Sequence, residues 1–175
     1  MTCTLRPWRL SDADSLAISL NNPVIQNNLR DGIPYPYTRE DAIWFIQEML
    51  TAKPGSVYPY AITVEDRAVG SIAVTRGQNI HSRTGELGYY LAKEYWGRGL
   101  GSSAIRQACR AVFGSSDLLR IYAEPFTHNT ASRRALEKAG FTHEGTLRQN
   151  AVKCGRVIDM ELYSLLREEC PDAKQ

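Results

Sequence analysis

The chain has 175 residues, 43% of them hydrophobic, and its 21 Lys+Arg against 19 Asp+Glu give a formal charge of +2. A chain of this size buries about 70% of the surface that its extended form exposes, enough for one globular unit with a sizeable core. The composition excludes collagen-like, low-complexity and disordered classes, and the near balance of charge supplies no case for nucleic acid or an anionic membrane as partner.

Taken in chain order, residues 2–10 alternate as a strand, and Ser11 with Asp14 reads as a cap ahead of Leu16, Ala17 and Leu20. Pro23 opens a second short helix through Val24, Ile25 and Leu29. A Pro- and Tyr-rich connection follows, and Thr38 with Asp41 caps a third helix carrying Ala42, Phe45, Ile46 and Met49. The period then changes. Residues 58–64, 68–76 and 84–91 read as three strands, the first two joined tightly enough for a hairpin, so an antiparallel meander is expected.

From Gly97 the pattern is helical, with Leu100, Ala104, Ile105, Ala108 and Val112 on one face. A strand at 119–124 ends at Pro125, and a helix at 130–139 is stopped by Gly140. The last strands are expected at about 141–148 and 157–165. In the latter, Ile158, Met160 and Leu162 face one way and Asp159, Glu161 and Tyr163 the other, with Asp159 and Glu161 reading as solvated or salt-bridged residues in preference to a second source of carboxylates. The order βααα–βββ–αβα–ββ makes a mixed α/β (α+β) sheet, with residues 1–175 as a single domain and about 166–175 as a C-terminal tail.

The four cysteines are far apart and show no zinc spacing, and Cys109 lies on a helical stripe as a small buried hydrophobe. No signal-peptide pattern or apolar run long enough to span a bilayer is visible, so a cytoplasmic protein is expected. His81, His128 and His143 are isolated and read as loop or surface residues.

The most informative segment is Trp96-Gly-Arg-Gly-Leu-Gly-Ser-Ser-Ala104, three glycines in five residues between a strand and an amphipathic helix. Glycine allows close backbone approach, and the first N–H groups of a helix lack internal partners and meet the positive end of its dipole. The segment is therefore a cradle for phosphate or pyrophosphate, or else a tight strand–helix turn alone. The P-loop string is absent. Gly99, Gly101 and Ala104 fit a dinucleotide fingerprint, with Glu124 twenty residues on, but a meander before the turn and few residues after it disfavour that topology.

Gly-Arg-Gly-Leu-Gly-Ser, followed by Asn129-Thr-Ala-Ser132-Arg-Arg-Ala-Leu-Glu-Lys-Ala-Gly140-Phe141, resembles the GNAT superfamily of N-acetyltransferases. Glu86-Leu-Gly-Tyr-Tyr-Leu and Tyr95-Trp-Gly-Arg-Gly are similar to its ribosomal-protein-alanine N-acetyltransferase-like branch. The resemblance covers nearly the whole chain. It implies a central, mostly antiparallel, splayed seven-stranded sheet flanked by helices, with acetyl-CoA as cosubstrate and no metal.

Residue by residue, the resemblance implies that backbone N–H groups of Arg98, Gly99, Leu100, Gly101 and Ser102 hold the pyrophosphate. The strand around Tyr90 and Leu91 would pair with the pantetheine arm, and Asn129 would bond that arm or order its loop. Trp96 stands where many relatives carry Gln or Arg, and Leu136 where many carry a Tyr. Ser132 is then the proton donor to the thiolate and Glu86 the base, acting directly or through water. Arg133 and Arg134 are candidates for the 3′-phosphate of CoA or ordinary helix arginines. Arg30, Tyr35 and Tyr37 are the acceptor-side candidates, on an aromatic loop of mixed charge suited to a peptide N-terminus or a small amine.

The leading expectation is thus an acetyl-CoA-dependent N-acetyltransferase acting on a primary amine such as a protein α-amino group, as a monomer or homodimer. A non-catalytic acyl-CoA-binding module of the same fold is the alternative, and a dinucleotide-binding oxidoreductase a weaker one.

Overall fold

The computed structural model describes residues 1–171. One seven-stranded sheet runs in the order β1-β2-β3-β4-β5-β7-β6. Its strands are β1 (Thr4–Arg6), β2 (Val57–Val64), β3 (Arg67–Arg76), β4 (Thr84–Leu91), β5 (Arg120–Ala123), β6 (Thr142–Lys153) and β7 (Arg156–Leu166). The helices are α1 (Ala13–Leu20), α2 (Pro23–Gln26), α3 (Arg39–Thr51), α4 (Leu100–Ser115) and α5 (Thr130–Lys138).

Every neighbouring pair is antiparallel except β4 with β5. That parallel pair is short: Thr84 lies opposite Arg120, Gly85 opposite Ile121 and Glu86 opposite Tyr122. Beyond Glu86, β4 continues to Leu91 paired with β3 alone. The sheet therefore forks at Glu86.

Both faces are covered. Ile72, Val74, Leu87, Ile105, Cys109, Phe113, Leu136 and Phe141 belong to the core cluster that carries the α4 and α5 side chains. Trp8, Leu16, Leu20, Ile25, Ala42 and Ile46 belong to the one built with α1–α3. Cys109 is fully buried, and burial pushes its thiol far up, as expected of a structural cysteine.

Local signals behave unequally. The Thr38 cap forms as read: Asp41 N–H donates to Thr38 Oγ1 at 3.1 Å, and Thr38 N–H to Asp41 Oδ2 at 2.8 Å. The Ser11 cap does not form. Asp12 accepts from Arg9 N–H at 2.9 Å and from the Arg6 guanidinium at 2.8 Å, so a 3-10 turn at Leu10–Asp12 precedes α1. The expected first strand shrinks to Thr4–Arg6, since Pro7 offers no N–H to a ladder. Helix α2 stops at Gln26, short of Leu29.

Gly140 ends α5 at φ +99°, where Phe141 N–H donates to Leu136 O and Gly140 N–H to Glu137 O, a complete Schellman stop. The segment read as a tail begins as strand and is then hooked to the body. Arg167 donates to the carbonyls of Phe113, Ser116 and Leu118, and Cys170 is buried; residues 172–175 lie outside the described residues.

Candidate active site

A cavity of about 360 Å³ opens where β4 and β5 part. Its walls come from β4, from the loop after β5, and from the α1–α3 layer, whose Leu16, Leu20, Leu29 and Phe45 make one side apolar.

On the α4 side of the fork, Gly97 and Gly99 sit at φ +73° and +76°, the left-handed conformation that non-glycine residues pay strain to adopt. A Cβ at either would point into open space, so the demand is conformational. Gly101 is different: a Cβ there would make ordinary contacts at 3.7 Å with Ala135 Cβ and 3.8 Å with Tyr89 and Leu91, so this position sits where α4 packs against α5 and β4. Ser103 N–H donates to Gly99 O at 3.2 Å and Ser102 Oγ to the same carbonyl at 3.0 Å. The amides of Leu100, Gly101 and Ser102 precede the first i→i−4 bond and lie at the positive end of a 16-residue helix. The Trp96 indole donates to Leu91 O at 2.8 Å and ties the turn to β4.

The opposite side is acidic. Glu86 and Tyr90 share the β4 face toward α1–α3, while Leu87, Tyr89 and Leu91 pack against the other layer. Arg30 brings its guanidinium onto both oxygens of Glu86, and its Nη2 is 3.7 Å from Glu124 Oε2. Burial, then the charge of Glu86, raise the Glu124 carboxyl above the usual range, opposed by Arg30. Burial and the same two carboxylates raise the Tyr122 phenol. Next to Arg30, Asp31 accepts from Lys153 Nζ at 2.7 Å, fastening this loop to the end of β6. Burial pushes the Tyr37 phenol up to about 12, with help from Asp41.

Between the two sides stands Ser132. Its N–H donates to Asn129 Oδ1 at 3.1 Å, the N-cap of α5, and its Oγ lies 3.0 Å from the Tyr89 hydroxyl. Burial pushes the Tyr89 phenol up to about 12, against a lowering by its bond with Ser132. The phenol thus stays protonated throughout the neutral range.

Residues 3–142 match the family model described as an acetyltransferase (GNAT) domain. The chain belongs to the GNAT acetyltransferase family. It is 29% identical over 170 residues to the uncharacterized N-acetyltransferase p20 of Bacillus licheniformis, covering 95% of this chain and 93% of that protein. The fold is similar to Mycobacterium smegmatis RimJ in complex with CoA-disulfide, with TM-score 0.86, 24% identity, and 97% and 84% of the two chains covered. It is also similar to RimL, a ribosomal alpha-N-protein acetyltransferase in complex with coenzyme A, with TM-score 0.84, 22% identity, and 99% and 97% covered. As a GNAT enzyme the protein is an acetyl-CoA-dependent acyltransferase, and the forked seven-stranded sheet expected from the resemblance is the one found.

The GNAT fold brings together most of the residues singled out from sequence. Glu86, Tyr90, Ser132, Arg30 and Tyr37 line the cavity. Gly99, Leu100, Gly101 and Ser102 form the turn, with the Leu100 and Ser102 side chains buried. The Arg98 side chain is exposed, its guanidinium 3.7 Å from Met1 Sδ. Tyr35 is exposed and lies outside the cavity lining. Arg133 turns toward Thr127 O and the Tyr163 hydroxyl.

Three residues were missed. Glu124 joins Glu86 across the fork, and Tyr89, on the β4 face opposite Glu86, meets Ser132. Glu161, expected as a solvated or salt-bridged residue, is buried, accepting from Thr127 Oγ1 at 3.0 Å and Thr146 Oγ1 at 2.9 Å beside His143 Nε2 at 2.6 Å. Despite the cost of burial, those bonds hold its carboxyl below the usual range. They also pin the loop bearing Glu124 and Asn129, since Glu161 N–H donates to Pro125 O.

Proposed function

We propose that the protein transfers the acetyl group of acetyl-CoA to a primary amine, foremost the α-amino group of a protein or peptide. The observation that carries this reading is the fork itself. It opens a cavity lined by two carboxylates and by Ser132 and Tyr89, and the Tyr89 ring in turn borders Gly101 of the helix-start turn, the cradle for an anion. The similarity to RimL, whose description names an alpha-N-protein acetyltransferase, supports the choice of acceptor.

In this reading the amides of Arg98 to Ser102 hold the pyrophosphate, and the β4 backbone beyond Glu86 offers the edge that pairs with pantetheine. Asn129 serves as the cap that orders the α5 start, and the cavity is large enough for the acyl end and an amine. Direct attack needs an uncharged amine, so a carboxylate takes one proton from the ammonium, directly or through water. Glu86 is placed for this, but its two oxygens already meet Arg30. Glu124 meets the guanidinium less closely, at 3.7 Å, so the pair shares the role, with Glu124 the readier base.

In this reading amides of the parted β4 stabilise the oxyanion. As the C–S bond breaks, the Ser132 hydroxyl donates to the sulfur and is reprotonated by the remaining proton on the adduct nitrogen, while the Tyr89 hydroxyl keeps its own proton and holds Ser132 in place. No covalent enzyme intermediate is needed. The test is thiol release from acetyl-CoA across peptides with free N-termini and small amines. Release dependent on an amine is the expected result; none with any acceptor overturns the reading.

A further inference from the structure

Four charged residues line the cavity among those described: Arg30, Asp31, Glu86 and Glu124. Asp31 is paired with Lys153, whose side chain is 14% exposed, so that charge is answered. One guanidinium then faces two carboxylates, and a single negative charge remains. Arg30 comes from the loop between α2 and α3, its side chain 62% exposed, and its guanidinium meets Glu86 and Glu124. The rest of the wall on that side is uncharged, from Leu29, Ile33, Phe45, Tyr37 and the Asn28 amide, and offers no further counter-charge.

We propose that Arg30 is the residue that sets the charge of the acceptor, leaving the site matched to one ammonium and closed to a second. An amine arriving with one positive charge brings the Arg30–Glu86–Glu124 group to neutrality. A diamine short enough for both nitrogens to enter places its second ammonium against the guanidinium with no carboxylate left to receive it. Without Arg30 the same two carboxylates match a dication. The inference rests on the acetyl-transfer reading and deepens it by naming the acceptor class as monocationic amines.

The experiment compares wild type, Arg30→Ala and Arg30→Lys by thiol release from acetyl-CoA. Acceptors come as matched pairs differing by one ammonium: butylamine against diaminobutane, and an alanine tripeptide against the same peptide with lysine first. The quantity read is the ratio of kcat/KM for the dication to that for the monocation. With Arg30 largely exposed and screened by water, like charges about 4 Å apart make a rise of about five- to tenfold expected in Arg30→Ala, with the wild-type ratio kept in Arg30→Lys. A ratio unmoved in Arg30→Ala overturns the inference while leaving acetyl transfer intact, as does an equal rise in Arg30→Lys. Equal loss of kcat for both acceptors in Arg30→Ala, with the ratio constant, also overturns it, since Arg30 then serves to position Glu86. Absence of release by wild type with every acceptor removes the acetyl-transfer reading, and this inference with it.

Discussion

The two sides of the fork are built from different materials. The turn at residues 97–102 offers backbone, with side chains absent or buried apart from the exposed Arg98, and its geometry follows from a short stretch of sequence. The acidic side works through side chains from β4, the end of β5 and a loop near residue 30, which meet only when the whole sheet has formed. Backbone sites tolerate change in neighbouring side chains but not in chain conformation. Side-chain sites behave the opposite way.

The largest effect expected from this contrast is on the acidic side. Glu86→Gln with Glu124→Gln should lower kcat/KM for the amine by about 100- to 10,000-fold and leave the KM for acetyl-CoA unchanged. Of the single variants, Glu124→Gln should be the more damaging at neutral pH; an equal or smaller loss reverses the assignment of the readier base. The mirror experiment is Gly99→Val, which forces a β-branched residue to positive φ at a cost of about 1–2 kcal/mol. It should raise the KM for acetyl-CoA by about tenfold with little change in the KM for the amine, as initial-rate kinetics will report.

At the junction, Tyr89→Phe should lower kcat about three- to tenfold at unchanged KM for either substrate, with Ser132→Ala lowering it further. A full kcat in both variants leaves water as the donor. The smallest effect lies on neither side. The Arg120 guanidinium bonds both oxygens of Glu144 at 2.6 Å, and with Ser164 it holds that carboxyl at about 2. A carboxyl whose folded value lies below its ordinary one stabilises the fold above pH 4.5 and loses that contribution as the pH falls toward 2. Screening at this part-exposed pair limits the gain to about 1 kcal/mol. Arg120→Ala should flatten this part of the stability–pH curve in denaturant melts without altering either KM.

The same contrast governs what the sequence makes legible. The α4 turn, the Thr38 cap and the Gly140 stop are set by residues close in sequence, and each forms as the pattern implies. Glu86 and Ser132 are placed by strand alternation and helix position, which are also local. Glu124 is visible as a carboxylate at the end of a strand, but its meeting with Glu86 depends on a three-pair parallel register 36 residues apart in sequence. Tyr89 shares the β4 face of Leu87 and Leu91, opposite Glu86; only the packing of α5 on β4 brings Ser132 to it. Glu161 reads as exposed because the chain does not announce that Thr127, Thr146 and His143 will enclose it. Tyr35 and Tyr37 are indistinguishable by composition, yet two residues of irregular loop separate a solvent-facing ring from a cavity wall.

The strand order has a consequence for synthesis. β7 is the last strand made, yet it lies between β5 and β6. The β1–β4 meander closes through near neighbours while the chain is still emerging, but β5 has no antiparallel partner until residues 163–166 are available to it. Half of the cavity therefore waits for β7 to be made, and a nascent chain stopped before β7 carries an unpaired edge beside an already folded half.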